Sequence, residues 1–192
     1  MKIGIEVGET IRGRPAGIAR YAAQVLRALR RLDTPHEIVP LYPWRRLPHV
    51  YRDLSSLGGR WYRRGHGVKG FDLVHATAGD TLGPTSAIEV ATLHDLYRLT
   101  GPGMTPTPRA LAEIDWYRRM DRVICVSPSA REDLHLMTDI PESRSLVIPL
   151  GVNEAYRPRD AAEVERVRRR YDLPSEFLLF VGRPRENKNL ER

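Results

Sequence analysis

Three consecutive stretches decide the fold: KIGIEV at 2–7, GIARYAAQVLRALRRL at 17–32 and HEIVPLY at 36–42. The outer two are short apolar runs with the character of strands. In the middle one Ile18, Tyr21, Ala22, Val25, Leu26, Leu29 and Leu32 recur at spacings of three and four, with Arg20, Gln24, Arg27, Arg30 and Arg31 on the opposite face. That period predicts a helix with one apolar stripe lying on a sheet. Strand, helix, strand is the unit from which a parallel sheet flanked by helices is built, so the fold class is α/β.

The same alternation continues outward. Strands are predicted at 72–76, 89–94, 122–127, 145–149 and 177–182, and helices at 108–120, 128–138 and 161–171. Ser127-Pro128-Ser129 supplies a hydroxyl cap followed by a proline at a position where its missing N–H does no harm. After Pro149-Leu150-Gly151 the stretch Val152–Pro158 has neither period and contains a proline. The reading divides the chain there into a parallel-sheet domain over 1–155 and, over 156–192, a linker with the first βα unit of a second domain. A lone βα unit cannot bury its own faces, so the second domain is expected to be truncated.

Composition narrows the class. The chain has 192 residues with 41% hydrophobic content, enough for one full α/β domain and part of another. No apolar run approaches the ~20 residues needed to span a bilayer. Met1-Lys2-Ile3-Gly4-Ile5 lacks the apolar region of a signal peptide, which makes the cytoplasm the default compartment. The single cysteine, Cys125, lies in the run Val123-Ile124-Cys125-Val126, reads as a core residue, and can form neither an internal disulfide nor a zinc site.

The formal charge of +7 is unevenly spread. Arg45, Arg46, Arg52, Arg60, Arg63, Arg64 and Lys69 stand against Asp53 alone between Tyr42 and Gly70, interleaved with Trp44, Tyr51, Trp61 and Tyr62. This mixture suits an anionic membrane surface or a phosphate-bearing acceptor, with nucleic acid the poorest fit. A solvated face whose arginine stems cover apolar surface accounts for it equally well.

Three places have the residue types for chemistry. The loop with Gly8, Gly13 and Gly17 leads into the first helix, where an anion can approach free N–H groups and the positive helix end. Its spacing is not the dinucleotide fingerprint, and a plain βα loop reads the same way. His94-Asp95 ends a strand, where ligands of open α/β sheets gather, and a histidine there can donate to a sugar hydroxyl or a phosphate. A structural histidine holding a loop is the equal alternative, and His75 is a similar but poorer candidate. Finally Gly182–Asn189 places Arg183 and Lys188 beside a helix start, an arrangement for a diphosphate or simply a solvated basic turn.

In this order and spacing the sites resemble the family 4 glycosyltransferases. The resemblance is carried by Gly17-Ile18-Ala19-Arg20-Tyr21, Thr92-Leu93-His94-Asp95-Leu96, Arg122–Ser129, Val147–Asn153, and Phe180-Val181-Gly182-Arg183 with Lys188-Asn189. It implies a GT-B fold of two facing Rossmann-like domains, with 1–155 the acceptor-side domain. It also implies retaining transfer of a hexose, mannose or glucose, from a nucleotide-sugar to a glycan or lipid-linked acceptor, without a metal or other cofactor. By the same resemblance His94 touches the transferring sugar, Gly17 lies near the phosphates, Arg20 and Tyr21 lie on the acceptor side, and Arg183 and Lys188 hold the donor diphosphate. No D-x-D pair is present, in keeping with metal independence.

One departure stands out. The family's second domain carries two glutamates eight positions apart, and no two glutamates here have that spacing. Little or no transfer is therefore expected from this chain alone. Arg45, Arg46, Arg63 and Arg64 are the expected docking residues for an anionic membrane, giving a cytoplasmic protein peripheral at the inner membrane face. The alternative function is a non-catalytic module binding lipid or polysaccharide. A nicotinamide oxidoreductase is disfavoured by the missing glycine fingerprint.

Overall fold

The computed structural model describes residues 1–8, 17–44, 59–63, 65–78, 82–101, 103–182 and 188–190. The elements in order are β1 (Lys2–Glu6), α1 (Gly17–Arg31), β2 (Glu37–Pro43), β3 (Arg60–Tyr62), β4 (Leu73–Ala76), β5 (Ile88–Leu93), α2 (Tyr97–Thr100), α3 (Pro108–Arg119), β6 (Arg122–Cys125), α4 (Pro128–Met137), β7 (Ser145–Val147) and α5 (Ala161–Tyr171). The strands form one sheet in the order β3-β2-β1-β4-β5-β6-β7, every neighbouring pair parallel. This is a Rossmann-like α/β fold. The chain winds outward from β1 to β3, returns to place β4 beside β1, and winds the other way. The carboxyl ends of β1 and β4 therefore flank the crevice where such sheets bind ligands.

Alternation along the strands sends side chains to two faces. On one face Ile5 and Val7 of the β1 segment pack with Ala22 and Leu26 of α1 and with Tyr42 of β2. Full burial of a leucine such as Leu26 contributes about 1.5–3 kcal/mol, so the apolar stripe is what fixes α1 to the sheet. A second cluster joins Val39, Leu41, Tyr62, Phe71 and Val74. A third carries Ala91, Leu93, Val123 and Cys125 from the sheet together with Trp116 and Tyr117 of α3 and Leu134 of α4. Caps start the later helices as their residues dictate. Thr107 accepts from Ala110 N at 3.2 Å ahead of α3, and Ser127 accepts from Ala130 N at 3.1 Å ahead of α4, each with proline in the first turn.

The chain divides into two compact units, Met1–Leu150 and Gly151–Arg192. In the second unit α5 is capped by Asp160, which accepts from Glu163 N at 2.7 Å, and closes on Asp172 in the left-handed conformation. It buries no residue and carries the i,i+4 pair Glu165–Arg169 at 2.8 Å, the signature of a solvated helix.

Three differences from the sequence reading have physical causes. The strand expected at 177–182 makes no ladder among the described residues, and Leu178 is 102% exposed. An apolar run becomes a strand only where a neighbour supplies hydrogen bonds. Conversely β3 is an edge strand of three residues held by Leu41–Pro43, too short to show a period. The short helix α2 and the 3-10 turn at Glu142–Arg144 are likewise below the length that a periodic pattern reveals.

Candidate active site

Four elements bring polar side chains to the carboxyl edge of the sheet beside the β1/β4 switch point. Gly17, Arg20 and Tyr21 form the first turns of α1, the first two exposed and Tyr21 half-buried. His94 follows β5 directly and is half-buried. Its Nε2 lies 2.9 Å from the Thr77 carbonyl, just past β4. A carbonyl only accepts, so Nε2 carries the proton and donates. Tyr21 closes the other side of this imidazole, ring edge to ring face, with centroids 4.9 Å apart and planes at 86°.

This corrects the hydrogen-bond direction expected of His94. The N–H that a neutral ring has to give is already spent on Thr77, which leaves Nδ1 as an acceptor for a ligand hydroxyl. Only the doubly protonated ring offers Nδ1–H to a phosphate. Asp95 is exposed and accepts from Tyr97 N at 3.2 Å, so it shapes the entry to α2. His75 is buried, with Nε2 2.8 Å from Thr92 Oγ1, and takes its place behind the site rather than in it. Burial, reinforced by the neighbouring His94, lowers its pKa to about 4, so it is neutral at physiological pH. Burial likewise raises the pKa of Tyr21, against the opposing hydrogen bond to Thr92. Its hydroxyl stays protonated.

Glu6 is the residue that the sequence reading missed. Fully buried at the end of β1, its carboxylate accepts from Gly8 N at 2.7 Å and from Tyr62 Oη at 3.3 Å, while Thr77 donates to its carbonyl at 2.7 Å. A Cβ on Gly8 would stand 2.3 Å from Glu6 Oε1, so only glycine lets the backbone close onto the carboxylate. The available signal was a lone acid inside an apolar strand, at its carboxyl end. Replacing Glu6 by Ala is expected to cost about 3 kcal/mol, because it removes a buried acceptor to which Gly8 N and Tyr62 Oη both donate. Glu6→Gln, which keeps an acceptor, should cost less. Urea unfolding reads both, and a loss below ~1 kcal/mol for the alanine variant would show that these two bonds contribute little to stability.

The remaining candidates fall elsewhere. Gly17 differs from Gly8: a Cβ there would meet nothing within 4 Å among the described residues. Arg63 is exposed just past β3, whereas Arg45, Arg46, Arg64 and Arg183 lie outside the described residues. Lys188 is exposed in the second unit. Cys125 is buried in the core as its sequence context implies, and burial pushes its thiol up to about 11. Among the described residues no cluster of His, Cys, Asp and Glu is arranged to hold a metal ion, and no helix is long and apolar enough to cross a membrane.

Comparison with known proteins adds two findings. The model of the family described as Glycosyltransferase Family 4 matches residues 15–156. Two serotype-specific mannosyltransferases WbdA of Escherichia coli are similar over 77 residues, one at 32% identity and one at 31%. The match takes in 39% of this chain and 9% of the length of each relative.

Proposed function

Because the chain belongs to glycosyltransferase family 4, we propose that it forms the acceptor-side part of an enzyme that transfers a hexose, with retention, from a nucleotide-sugar to a glycan or lipid-linked acceptor. The observation that carries this reading is the meeting of α1 and His94 beside the β1/β4 switch point, with His94 Nε2 committed to Thr77 and Nδ1 left for a hydroxylated ligand. Mannose is favoured over glucose by the activity for which the similar WbdA proteins are named.

In this reading the transferring sugar lies against His94. Gly17 lets the donor phosphates approach the start of α1, and Arg20 and Tyr21 face the acceptor. Arg183 and Lys188 hold the diphosphate. As the bond from the sugar's anomeric carbon to the diphosphate breaks, negative charge grows on the leaving group. Fixed cations stabilise that charge more in the transition state than before it. The acceptor oxygen bonds to the same face of the anomeric carbon, and its proton passes to the departing phosphate. No metal is needed for this charge balance when two cations are in place.

The direct test supplies nucleotide-activated mannose and glucose to a protein that contains both the acceptor-side and the donor-binding parts, and follows release of nucleoside diphosphate together with the anomeric configuration of the product. Retained configuration, with mannose preferred, is the expected result. An inverted product would overturn the stereochemical assignment, and glycan binding without transfer from any donor would favour a non-catalytic binding module.

Docking is the second part of the proposal. The protein acts at the cytoplasmic face of the membrane, held by Arg45, Arg46, Arg63 and Arg64 among the aromatic residues of the same segment. Sedimentation with vesicles is expected to show binding to anionic but not neutral lipid, weakened by salt. Charge reversal at the four arginines should reduce it at least ~10-fold, given about 1 kcal/mol for each basic residue at an anionic surface. Unchanged binding by that variant would remove these residues from the docking surface.

A further inference from the structure

Two hydrogen bonds converge on one hydroxyl behind the candidate site. Thr92 Oγ1, fully buried on β5, lies 2.9 Å from Tyr21 Oη on α1 and 2.8 Å from His75 Nε2 on β4. A threonine hydroxyl has one proton, so it donates to one of these partners and accepts from the other. A protonated phenol and a neutral imidazole satisfy that demand in either direction. Three elements are thereby pinned at a single atom, and Tyr117 on α3 adds a bond to the Thr92 backbone carbonyl at 3.4 Å.

The pin reaches the site through Tyr21. Among the described residues its ring is one of two supports of His94; the other is the Thr77 carbonyl. We propose that Thr92 is a positioning residue. Its hydroxyl, backed by His75, fixes the Tyr21 ring, and that ring holds the His94 imidazole so that Nδ1 is presented in one direction. Thr92 is itself sealed from any ligand and acts only through these neighbours. The consequence for sugar transfer rests on His94 being a ligand contact, but the holding of the ring does not.

Side-chain nitrogen NMR of the full chain without ligand tests this directly. The wild type should show His94 as one tautomer, protonated at Nε2. Thr92→Val keeps the shape and removes the hydroxyl; the His94 nitrogen resonances are then expected to move toward the average of the two tautomers. Thr92→Ser should restore the wild-type pattern. Tyr21→Phe cuts the same bond from the half-buried side without disturbing β5. It should reproduce the Thr92→Val change, and the double variant should add nothing to either.

Wild-type His94 resonances in folded Thr92→Val or Tyr21→Phe overturn the proposal, and if Thr92→Val does not fold, Tyr21→Phe decides it. In the transfer assay Thr92→Val should lower kcat on the order of 10-fold, with KM nearly constant and rescue by serine. In a protein with both the acceptor-side and donor-binding parts, a wild type that transfers no sugar counts against the sugar-transfer reading, and the spectra judge Thr92 independently.

Discussion

Acidification through the interval from pH 6.5 to about 4 is expected to cost the first unit roughly 3 kcal/mol of stability through His75 alone. The side chain is buried, bonded to the Thr92 hydroxyl, and close enough to His94 for that neighbour to oppose its charging. Protonation therefore puts a cation on a buried ring whose bond among the described residues is to a neutral hydroxyl. The folded pKa lies below the unfolded one, so in that interval the unfolded chain binds more protons. The unfolding free energy then falls as pH falls, with a slope approaching about 1.4 kcal/mol per pH unit, and the loss is complete below the folded pKa.

Urea unfolding between about pH 7 and about pH 4.5 measures the slope, and His75→Gln removes the titration. Glu89 and Glu113, whose pKa values are raised chiefly by burial, pull in the opposite direction, because their protonated forms favour the folded state as pH falls. They do so equally in both proteins. The difference between wild type and variant thus isolates His75. Parallel pH dependences would show that the histidine is reached by solvent or finds a counter-charge when protonated.

His75 also shows where reading the sequence stopped. Its position at the end of a strand made it resemble His94, and only the fold separates the two. One is buried on β4 against the Thr92 hydroxyl, while the other emerges one residue past β5. The β1–α1–β2 unit was legible because its apolar periods extend over enough residues for burial to impose them. β3 was not, since three residues in an arginine-rich stretch become a strand only through what β2 offers. The run at 177–182 has the composition of a strand and no pairing partner among the described residues, the same dependence seen in reverse. Glu6 stood in plain view as an acid in an apolar strand. Its meaning came from Gly8, Tyr62 and Thr77, which lie far apart in the chain or depend on a close backbone approach. The proton of His94 was likewise set by a carbonyl seventeen residues away.

Substitution of His94 by Ala is expected to lower kcat/KM for transfer by on the order of 100-fold or more in a protein that contains both the acceptor-side and donor-binding parts. The imidazole is held from two sides, so its orientation is prepared before a sugar arrives and little freedom remains to be lost on binding. An interaction prepared in this way can strengthen as charge builds on the sugar ring, which lowers kcat when it is removed. Lys188→Ala should produce a loss of similar size, of the order seen when one group stabilising transition-state charge is deleted. The two variants should differ in how the loss divides. Removal of a cation that grips the diphosphate throughout raises KM as well as lowering kcat, whereas removal of a contact to the reacting sugar falls mainly on kcat. Steady-state kinetics with a varied nucleotide-sugar separates these patterns. Wild-type turnover in both variants would withdraw His94 and Lys188 from the site, and a loss confined to KM in His94→Ala would reassign the histidine from the transferring sugar to ground-state binding.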